Sequence, residues 1–517
     1  MIRLEKSNKE RVFAKSIFES VAVGAAHELL RHDLMEHLAE IQKEMHFKYC
    51  RFHGLFNRRM AVARRLQDGT LAYQWHYIDK ITDNLLSVGL KPFFELNDMP
   101  DEMASGETYS MKWKMNTSEP KDYNEWGEFI ETFVSHMVDR YGLSEVKTWY
   151  FEVWNEPNLK GFWPAGMDAY YKLYKYTAEA VKRVDKGLRV GGPASAGGEC
   201  ITELIDYCYD NNVGLDFIST HAYPIGEYCE YKERNGSPYE LGEYFVGRFK
   251  EVKEAVSNSR MPDLEIHWTE WNTQSGNTSK NISWLCNPTV DKHFGGACVV
   301  KNMLGIKDIC DSAAYWVVSD IFGEAGIPHS VFSCTYGLMN IHGIKKSTYN
   351  AYKLLRKMRG NEMDIKNDSK FQIGCGMNAT EENEIVRIIC YNQQLLEIKD
   401  QPDWNENLEV SIKDGEYVIT TAKIKKGQGS CYESWVEMGM PQNLSPMQEE
   451  MLRAKSTMEY DFSIAKTENG VLKTGFNLKS DEVIYMEIQK KDIKAMPRDA
   501  SEDLMEEWNN AMMLNEK

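Results

Sequence analysis

Two glutamates in similar local sequences are the residues of this chain best suited to acid–base chemistry. Glu156 lies in the run Trp-Asn-Glu-Pro-Asn at residues 154–158, and Glu270 lies in the run Thr-Glu-Trp-Asn at 269–272. Both follow bulky, mostly apolar stretches of the kind that buried strands show. Pro157 ends the first stretch, because proline cannot donate the next ladder hydrogen bond. Taken alone, Glu156 fits a surface turn equally well, since proline also favours turns.

A pair of carboxylates that face each other across a cleft is what the hydrolysis of a glycosidic bond requires. One carboxyl group protonates the departing oxygen, and the other attacks the sugar carbon or activates a water molecule. A separation of about 5–5.5 Å gives retention of the anomeric configuration, and about 6.5–9.5 Å gives inversion. The sequence does not measure this distance, so both outcomes stay open at this point.

Strand-like runs alternate with amphipathic stretches over the first two thirds of the chain. The predicted strands cover residues 19–25, 47–55, 91–97, 149–155, 188–193, 215–223, 265–271 and 312–319, and helices are predicted at 27–45, 122–141, 168–184, 240–256 and 292–309. Eight such units predict a (β/α)8 TIM barrel, and the absence of Gly-x-Gly-x-x-Gly after the first strand disfavours a doubly wound open sheet. Glu156 and Glu270 then fall on strands four and seven, at the carboxyl-terminal face where such barrels place their active sites.

Short alternating runs replace the long helices from about residue 367 onward. This change predicts a C-terminal β-sandwich, with hairpin turns at Asp414-Gly415 and Asn469-Gly470. The predicted organisation is a barrel at 16–345, a helical element at 346–366, the sandwich at 367–496 with a short helical insertion near 436–455, and an acidic tail at 497–517 with a helix near Ser501.

The composition restricts the partners of the protein. The chain has 517 residues and a formal net charge of −17, which argues against nucleic acid, because its binding usually rests on a basic face. No basic start followed by an apolar segment and no run of about 18 apolar residues occurs, so we expect no membrane partner and a cytoplasmic location. Eleven cysteines without a Cys-x-x-Cys pair indicate reduced thiols rather than a disulfide frame or a metal site.

Polar and aromatic residues stand at the ends of several other predicted strands. They include His53, the run at 95–98, His221, Tyr223 and Trp316. A single strand-end histidine is more often a hydrogen-bonded structural group than a ligand-binding one. Together these residues suit a sugar ring, which offers hydroxyl edges and apolar faces.

Several of these motifs resemble glycoside hydrolase family 39, and most closely its bacterial β-xylosidases. The similarity is carried by 154–158 and 269–273, and it extends through 47–55, 91–95, 121–123, 141–142, 191–193, 315–316, 319–320 and 438–441. It implies a retaining enzyme without metal or cofactor, in which residues 1–15 add a strand to the sandwich. It also implies a homo-oligomer, typically a tetramer, in which loops of neighbouring chains help to wall the site.

The resemblance assigns roles to individual residues. Glu156 would be the acid/base, Glu270 the nucleophile, and Asn155 the partner of the sugar's 2-hydroxyl. The residues that would line the glycone site are His53, His221, Tyr223, Trp316 and Glu324.

Three departures from the family pattern leave the glycone open, since we expect all three around the sugar pocket. Trp271 replaces a usual tyrosine, Gly323-Glu324 replaces an acidic pair, and Phe-Ser-Cys-Thr at 332–335 replaces Phe-His-Gly-Gly. We expect exo-acting release of xylose from β-1,4-xylo-oligosaccharides. The alternatives are an α-L-arabinoside, a β-galactoside or an iduronide, and a sugar-binding protein without catalysis. An iduronide would need a cation in the pocket, and no Lys or Arg stands at a strand end near either glutamate.

Overall fold

Strands and helices alternate through the first 357 residues, and strands dominate the remainder. The structure, a computed structural model, describes residues 1–13, 16–223, 243–273, 290–324, 328, 330–395, 400–491 and 506. The strands in chain order are β1 (Ile2–Glu5), β2 (Ser20–Ala25), β3 (Tyr49–His53), β4 (Ala63–Arg65), β5 (Leu71–Tyr73), β6 (Lys91–Leu96), β7 (Tyr109–Ser110), β8 (Met115–Asn116), β9 (Tyr150–Val153), β10 (Arg189–Ser195), β11 (Phe217–Ala222), β12 (Glu265–Trp271), β13 (Ser312–Trp316), β14 (Asn361–Glu362), β15 (Asp364–Asn367), β16 (Cys375–Glu382), β17 (Ile385–Asn392), β18 (Trp404–Ser411), β19 (Glu416–Ile424), β20 (Tyr460–Lys466), β21 (Val471–Leu478) and β22 (Glu482–Lys490).

The described helices surround the barrel or join the sandwich to it. They are α1 (His32–Met45), α2 (His76–Ser87), α3 (Tyr123–Tyr141), α4 (Leu143–Val146), α5 (Met167–Val184), α6 (Ile201–Asn211), α7 (Tyr244–Ser257), α8 (Phe294–Ile306), α9 (Ser347–Lys357), α10 (Tyr432–Glu437) and α11 (Pro446–Ser456), with 3-10 turns at Ser16–Phe18, Ala26–Leu30, Arg58–Met60 and Ala196–Gly198.

Eight parallel strands close into the predicted barrel. Their order around it is β2, β3, β6, β9, β10, β11, β12 and β13, and β13 pairs again with β2. The prediction of a (β/α)8 barrel is therefore confirmed. The first helices pack onto it through regular apolar spacing, as α1 does with the buried residues Leu34, Leu38, Ile41 and Met45.

The barrel interior is built in layers, because alternate residues of each strand point inward. Tyr49, Phe93, Tyr150 and Phe217 form an aromatic cluster near the starts of the strands, and the Phe93 and Tyr150 rings stack at a centroid distance of 4.6 Å. Two residues further along β3, the inward position is Arg51, which is fully buried. Charged groups therefore lie directly above the aromatic cluster.

Two sheets, in which most strand pairs are antiparallel, form the sandwich. The four-stranded sheet has the order β15, β1, β18, β21, and the six-stranded sheet has the order β14, β16, β17, β22, β19, β20. The amino-terminal strand β1 pairs antiparallel with β15 and parallel with β18. Ile2 and Leu4 of this strand are completely buried in the sandwich core.

Some local predictions for the sandwich were wrong. Asp414-Gly415 and Asn469-Gly470 do form turns, but each turn connects strands of different sheets rather than a hairpin. The two turns instead meet, since the Gly470 N–H donates to the Asp414 carboxylate at 2.7 Å. The helix predicted near Ser501 lies outside the described residues.

Helices form in two places outside the barrel units. One helix lies between the barrel and the sandwich, and two more lie in the insertion within the sandwich. The helix α9 packs against α8 and α1 of the barrel, and β14 and β15 belong to the sandwich. In the insertion, Ser445 caps α11, because its hydroxyl accepts from the Gln448 N–H while the Gln448 side chain accepts from the Ser445 N–H.

All nine described cysteines are free thiols. Within the described residues no helix has the length and apolarity needed to span a bilayer.

Truncation of Leu4 tests the contribution of the amino-terminal strand. Leu4 is fully buried, so we expect Leu4→Ala to destabilise the sandwich by about 2–5 kcal/mol through lost burial and a cavity. Arg3→Ala is the matched control, since Arg3 is exposed and pairs with Glu409 at the surface, where such a pair contributes about 1 kcal/mol or less. Thermal unfolding followed by circular dichroism measures both variants, and equal midpoints for them would contradict the placement of β1.

Candidate active site

Arg51 is the centre of a buried charge network in the barrel. Its Nε donates to Glu152 at 2.6 Å, its Nη1 to Glu270 at 2.6 Å, and its Nη2 contacts Glu95 at 2.6 Å. Nη2 also donates to the side-chain oxygen of Asn155 at 2.8 Å. One guanidinium thus connects residues of four barrel strands and the residue that precedes Glu156.

The charges of this network stabilise one another, because removal of one partner would leave a buried charge unpaired, which is costly. Burial alone lowers the pKa of Arg51, but the carboxylates of Glu152 and Glu95 raise it above its usual range. The hydroxyl of Thr269 donates to the second Glu152 oxygen at 2.7 Å. Glu152 therefore satisfies both of its oxygens within the barrel and is not exposed to a ligand.

Glu270 is surrounded by hydrogen-bond donors. In addition to Arg51, the Tyr223 hydroxyl donates to Oε2 at 2.7 Å, and His53 Nε2 lies 3.2 Å from Oε1. Burial alone would raise the pKa of Glu270, but the charges at His221 and Arg51 hold it well below its usual range. Glu270 is therefore an ionised, oriented carboxylate, which is the state that a nucleophile needs.

Glu156 lies three residues after the end of β9, in a strained backbone conformation. Its φ is 42° and that of Trp154 is 67°, a left-handed region that residues with a Cβ rarely adopt. The Glu156 N–H donates to the carbonyl of Ala194 on the neighbouring strand at 2.8 Å. The side chain is 11% exposed, so the turn directs the carboxyl group into the barrel mouth instead of into solvent.

His221 links the two glutamates. Its Nδ1 lies 2.9 Å from Glu156 Oε1 and 3.6 Å from Glu270 Oε2. Ligand atoms of all three side chains lie within 4.8 Å of one another, so an oxygen of each carboxylate is close to the other. Two carboxylates and a histidine are also a donor set for metals, but Glu270 already accepts from Arg51 and Tyr223, and the nearby positive charges oppose a bound cation.

His53 contacts both the charge network and the ring of Trp316. Its Nδ1 lies 2.7 Å from Glu95, and its ring centroid is 4.5 Å from that of Trp316. Burial alone lowers the pKa of His53, but the carboxylates of Glu95 and Glu270 raise it to about 10. The imidazole is therefore positively charged at neutral pH and adds to the stabilisation of the Glu270 carboxylate.

Glu324 lies on the loop after the eighth barrel strand. Its carboxyl group accepts from the Trp316 side chain and is close to His53, Glu270 and Glu156. Burial raises the pKa of Glu324 to about 7 despite the positive charge of His53. A side chain that is protonated or ionised near neutral pH can donate to or accept from a sugar hydroxyl.

The structure brings all the predicted site residues together at the carboxyl ends of the strands. These are Glu156, Glu270, His53, Asn155, His221, Tyr223, Trp316 and Glu324. The sequence prediction missed Arg51, although Arg51 and His53 are two residues apart on β3 and so face the same side. The sequence statement covered only strand ends, and Arg51 lies within β3. Arg51 is engaged by three carboxylates and an amide, however, and is not available to a substrate carboxylate.

One of the three departures from the family pattern, Trp271, points away from the pocket, contrary to the prediction. The Trp271 ring packs against Phe245 and Tyr315, at centroid distances of 5.3 and 5.2 Å. In the run 332–335 the first residue is unchanged, and the Cys334 N–H donates to Asp291 at 2.7 Å. The departure at Gly323 directly precedes Glu324 and so borders the site.

Comparisons with known proteins agree with this geometry. Residues 1–473 match the family model described as glycosyl hydrolases family 39. A β-xylosidase of Caldicellulosiruptor saccharolyticus is 35% identical over 94% of this chain and 96% of its own length. A β-xylosidase of Geobacillus stearothermophilus is 32% identical over 94% of each chain.

A solved structure is similar over nearly the same length. It is a monomeric β-xylosidase from Caulobacter crescentus CB15, which matches with a TM-score of 0.82 and 30% identity over 95% of this chain and 99% of its own. Both the barrel and the sandwich are therefore shared with that protein.

Removal of Arg51 tests whether the charge network controls the ionisation of Glu270. In Arg51→Met, Glu270 loses a cation that depresses its pKa, so the pKa rises and the ionised form is lost at a higher pH than in the wild type. We expect the acid limb of the kcat/KM profile to move to higher pH, and kcat/KM at its optimum to fall by about 100-fold or more. Initial rates from pH 4 to 8 measure both effects.

A second buried arginine gives the matched control. Arg387 is 2% exposed and pairs with Glu487 in the sandwich, so Arg387→Met removes a buried cation far from the pocket. Its loss should destabilise the fold, as breaking a buried pair generally does, without moving the acid limb. An unchanged acid limb in Arg51→Met would contradict the proposed control of Glu270.

Proposed function

The chain belongs to glycoside hydrolase family 39 and is a glycosidase, and from this premise we propose that it hydrolyses β-D-xylosides with retention of configuration. The proposed substrates are short β-1,4-xylo-oligosaccharides, from which it releases xylose at the non-reducing end. Two relatives that match over 94% of the chain are β-xylosidases. The observation that carries the mechanism is the close approach of Glu156 and Glu270.

In the first step, Glu270 attacks the anomeric carbon and Glu156 protonates the departing glycosidic oxygen. Carboxylate oxygens within 4.8 Å of each other support direct attack, because an inverting enzyme keeps its carboxyl groups about 6.5–9.5 Å apart to admit a water molecule. The depressed pKa of Glu270 keeps this side chain ionised and ready to attack. The bond to the aglycone breaks as the ester to Glu270 forms, and the proton of Glu156 leaves with the aglycone alcohol.

In the second step, water hydrolyses the glycosyl ester. Esterification removes the negative charge of Glu270, so Glu156 is now free of a neighbouring anion and acts as the general base. It takes one proton from the attacking water, which regenerates the acid form. The Glu270 carboxylate leaves and returns to its contacts with Arg51 and Tyr223.

Asn155 has the orientation that binding of the 2-hydroxyl requires. Its side-chain oxygen accepts from Arg51, so its NH₂ group remains to donate. We propose that this group donates to the 2-hydroxyl of the sugar, an interaction that gains strength as charge develops at the neighbouring carbon. The charge network thus fixes both the nucleophile and this amide.

The remaining pocket residues support a neutral sugar. His53, Trp316 and Glu324 lie together on one side of Glu270, where they offer an aromatic face and hydrogen-bonding groups to the ring. An α-L-arabinoside or a β-galactoside fits the same chemistry. An iduronide is disfavoured, because Arg51 and both ring nitrogens of His53 are already engaged by carboxylates.

We also propose the assembly and location that the sequence predicts. The resemblance favours a homo-oligomer, typically a tetramer, although the similar Caulobacter crescentus protein is monomeric. The cytoplasm is the location that suits imported oligosaccharides. Multi-angle light scattering of the purified protein distinguishes a monomer from a tetramer, and a monomer would overturn the proposed assembly.

Rates on a panel of nitrophenyl glycosides test the proposed function. We expect β-D-xyloside to be preferred by wild type, and Glu270→Ala to lose at least about 1,000-fold in kcat, because it lacks the nucleophile. Glu156→Ala should lose less on this activated leaving group, and azide should rescue it with formation of β-xylosyl azide. Glu203→Ala, at an exposed position of α6, is the control and should match wild type.

Each contrary result overturns a different part of the proposal. A preference of more than tenfold for arabinoside or galactoside would refute the glycone. Full activity of Glu270→Ala would refute the nucleophile, and an α-azide would mean inversion. Absence of turnover on every glycoside would favour a sugar-binding protein.

A further inference from the structure

Glu28 is a buried carboxylate that the mechanism does not use. It lies in the 3-10 turn Ala26–Leu30, directly after the first barrel strand, and is only 5% exposed. Its Oε2 accepts from the Ala25 N–H at 2.9 Å, and its Oε1 accepts from the Gly323 N–H at 2.6 Å. This side chain therefore connects the loop after the first strand to the loop after the eighth.

Glycines on both sides make room for this carboxylate. A Cβ at Gly323 would lie 2.9 Å from Glu28 Oε1, and a Cβ at Gly24 would lie 2.4 Å from Oε2 and 2.6 Å from the Phe322 ring. Neither glycine has the positive φ that would by itself require glycine. The glycines are thus needed for space, and a side chain at residue 323 competes with Glu28 for the same volume.

The loop that Glu28 holds carries two residues of the sugar pocket region. Phe322 packs on its edge against Trp316 at a centroid distance of 5.8 Å. Glu324 accepts from the Trp316 side chain and lies near His53. Displacement of the Gly323 backbone would therefore move Glu324 and release a contact of Trp316.

We infer that Glu28 is a positioning residue for the glycone site, which fixes the loop that presents Glu324 to the sugar. Its carboxylate meets the residue next to Glu324, although the two come from opposite ends of the barrel sequence. The inference rests on the proposed glycosidase site. It predicts that positions 28 and 323 are coupled in KM.

The alternative is a purely local role. Glutamate at this position of a helical turn commonly accepts the N–H at the start of the turn, and the contact with Ala25 is of that kind. A local role affects folding stability alone, so positions 28 and 323 would then be coupled in stability through their shared volume but not in KM. The two roles are separated by a cycle of Glu28→Ala, Gly323→Glu and the double variant.

The cycle has a specific expected pattern. Glu28→Ala should raise KM for the xyloside about tenfold with a change in kcat below threefold, because the loop contacts the sugar and not the bond that breaks. Gly323→Glu should be impaired at least as much, since the new side chain occupies the volume that Glu28 fills. The double variant should recover to within about threefold of the wild-type KM. Glu36→Ala, at an exposed site of α1, is the control.

Hydrogen exchange supplies a measurement that does not depend on turnover. In substrate-free Glu28→Ala, the amides of residues 320–324 should exchange at least about tenfold faster than in wild type. If these amides exchange faster but no variant hydrolyses the xyloside, the proposed substrate is refuted and the positioning role is sustained. Unchanged exchange and KM in Glu28→Ala, or a double variant no better than Gly323→Glu, would overturn the inference.

Discussion

The burial of the Arg51 guanidinium among three carboxylates is the constraint on which the site depends. Arg51, Glu95, Glu152 and Glu270 come from four separate barrel strands and meet with almost no solvent exposure. Because an unpaired charge in this position would cost several kcal/mol, these side chains have one favourable arrangement. The arrangement fixes the orientation of Glu270 and, through Asn155, the turn that carries Glu156, the proposed acid/base.

Other parts of the barrel enclose this network on two sides, near the strand starts and at the mouth. The aromatic cluster around Phe93 and Tyr150 fills the lower barrel, so water does not reach the charges from that side. Above the network, the strained turn at Glu156 and the loop held by Glu28 place carboxyl groups at the mouth. The side chains inside the barrel therefore change along the strands, from aromatic residues near the strand starts, to paired charges, to the polar residues at the mouth. The same gradient explains why the pKa of Glu270 is low and that of Glu324 is high, although both are carboxyl groups in one pocket.

The sequence predicted the barrel, the sandwich and the pair of glutamates because each leaves a local signal. Strand and helix periodicity is read within a short window, and Glu156 and Glu270 stand in motifs of four or five residues. Arg51 was missed because the search for functional residues stopped at strand ends, whereas inward alternation along β3 places it beside His53. The contact of Glu28 with Gly323 joins residues 295 positions apart, and no local pattern indicates it. The outward packing of Trp271 depends in the same way on tertiary contacts, here with α7.

The central claim is that the Arg51 network prepares Glu270 as a covalent nucleophile. The most direct measurement is to incubate the enzyme with an activated 2-deoxy-2-fluoro-β-D-xyloside, whose intermediate hydrolyses slowly, and to locate the adduct by mass spectrometry. The account predicts one fluoroxylosyl group per chain, attached to the peptide that contains Glu270. An adduct on another carboxylate such as Glu324, or turnover to a product of inverted configuration without any adduct, would contradict it.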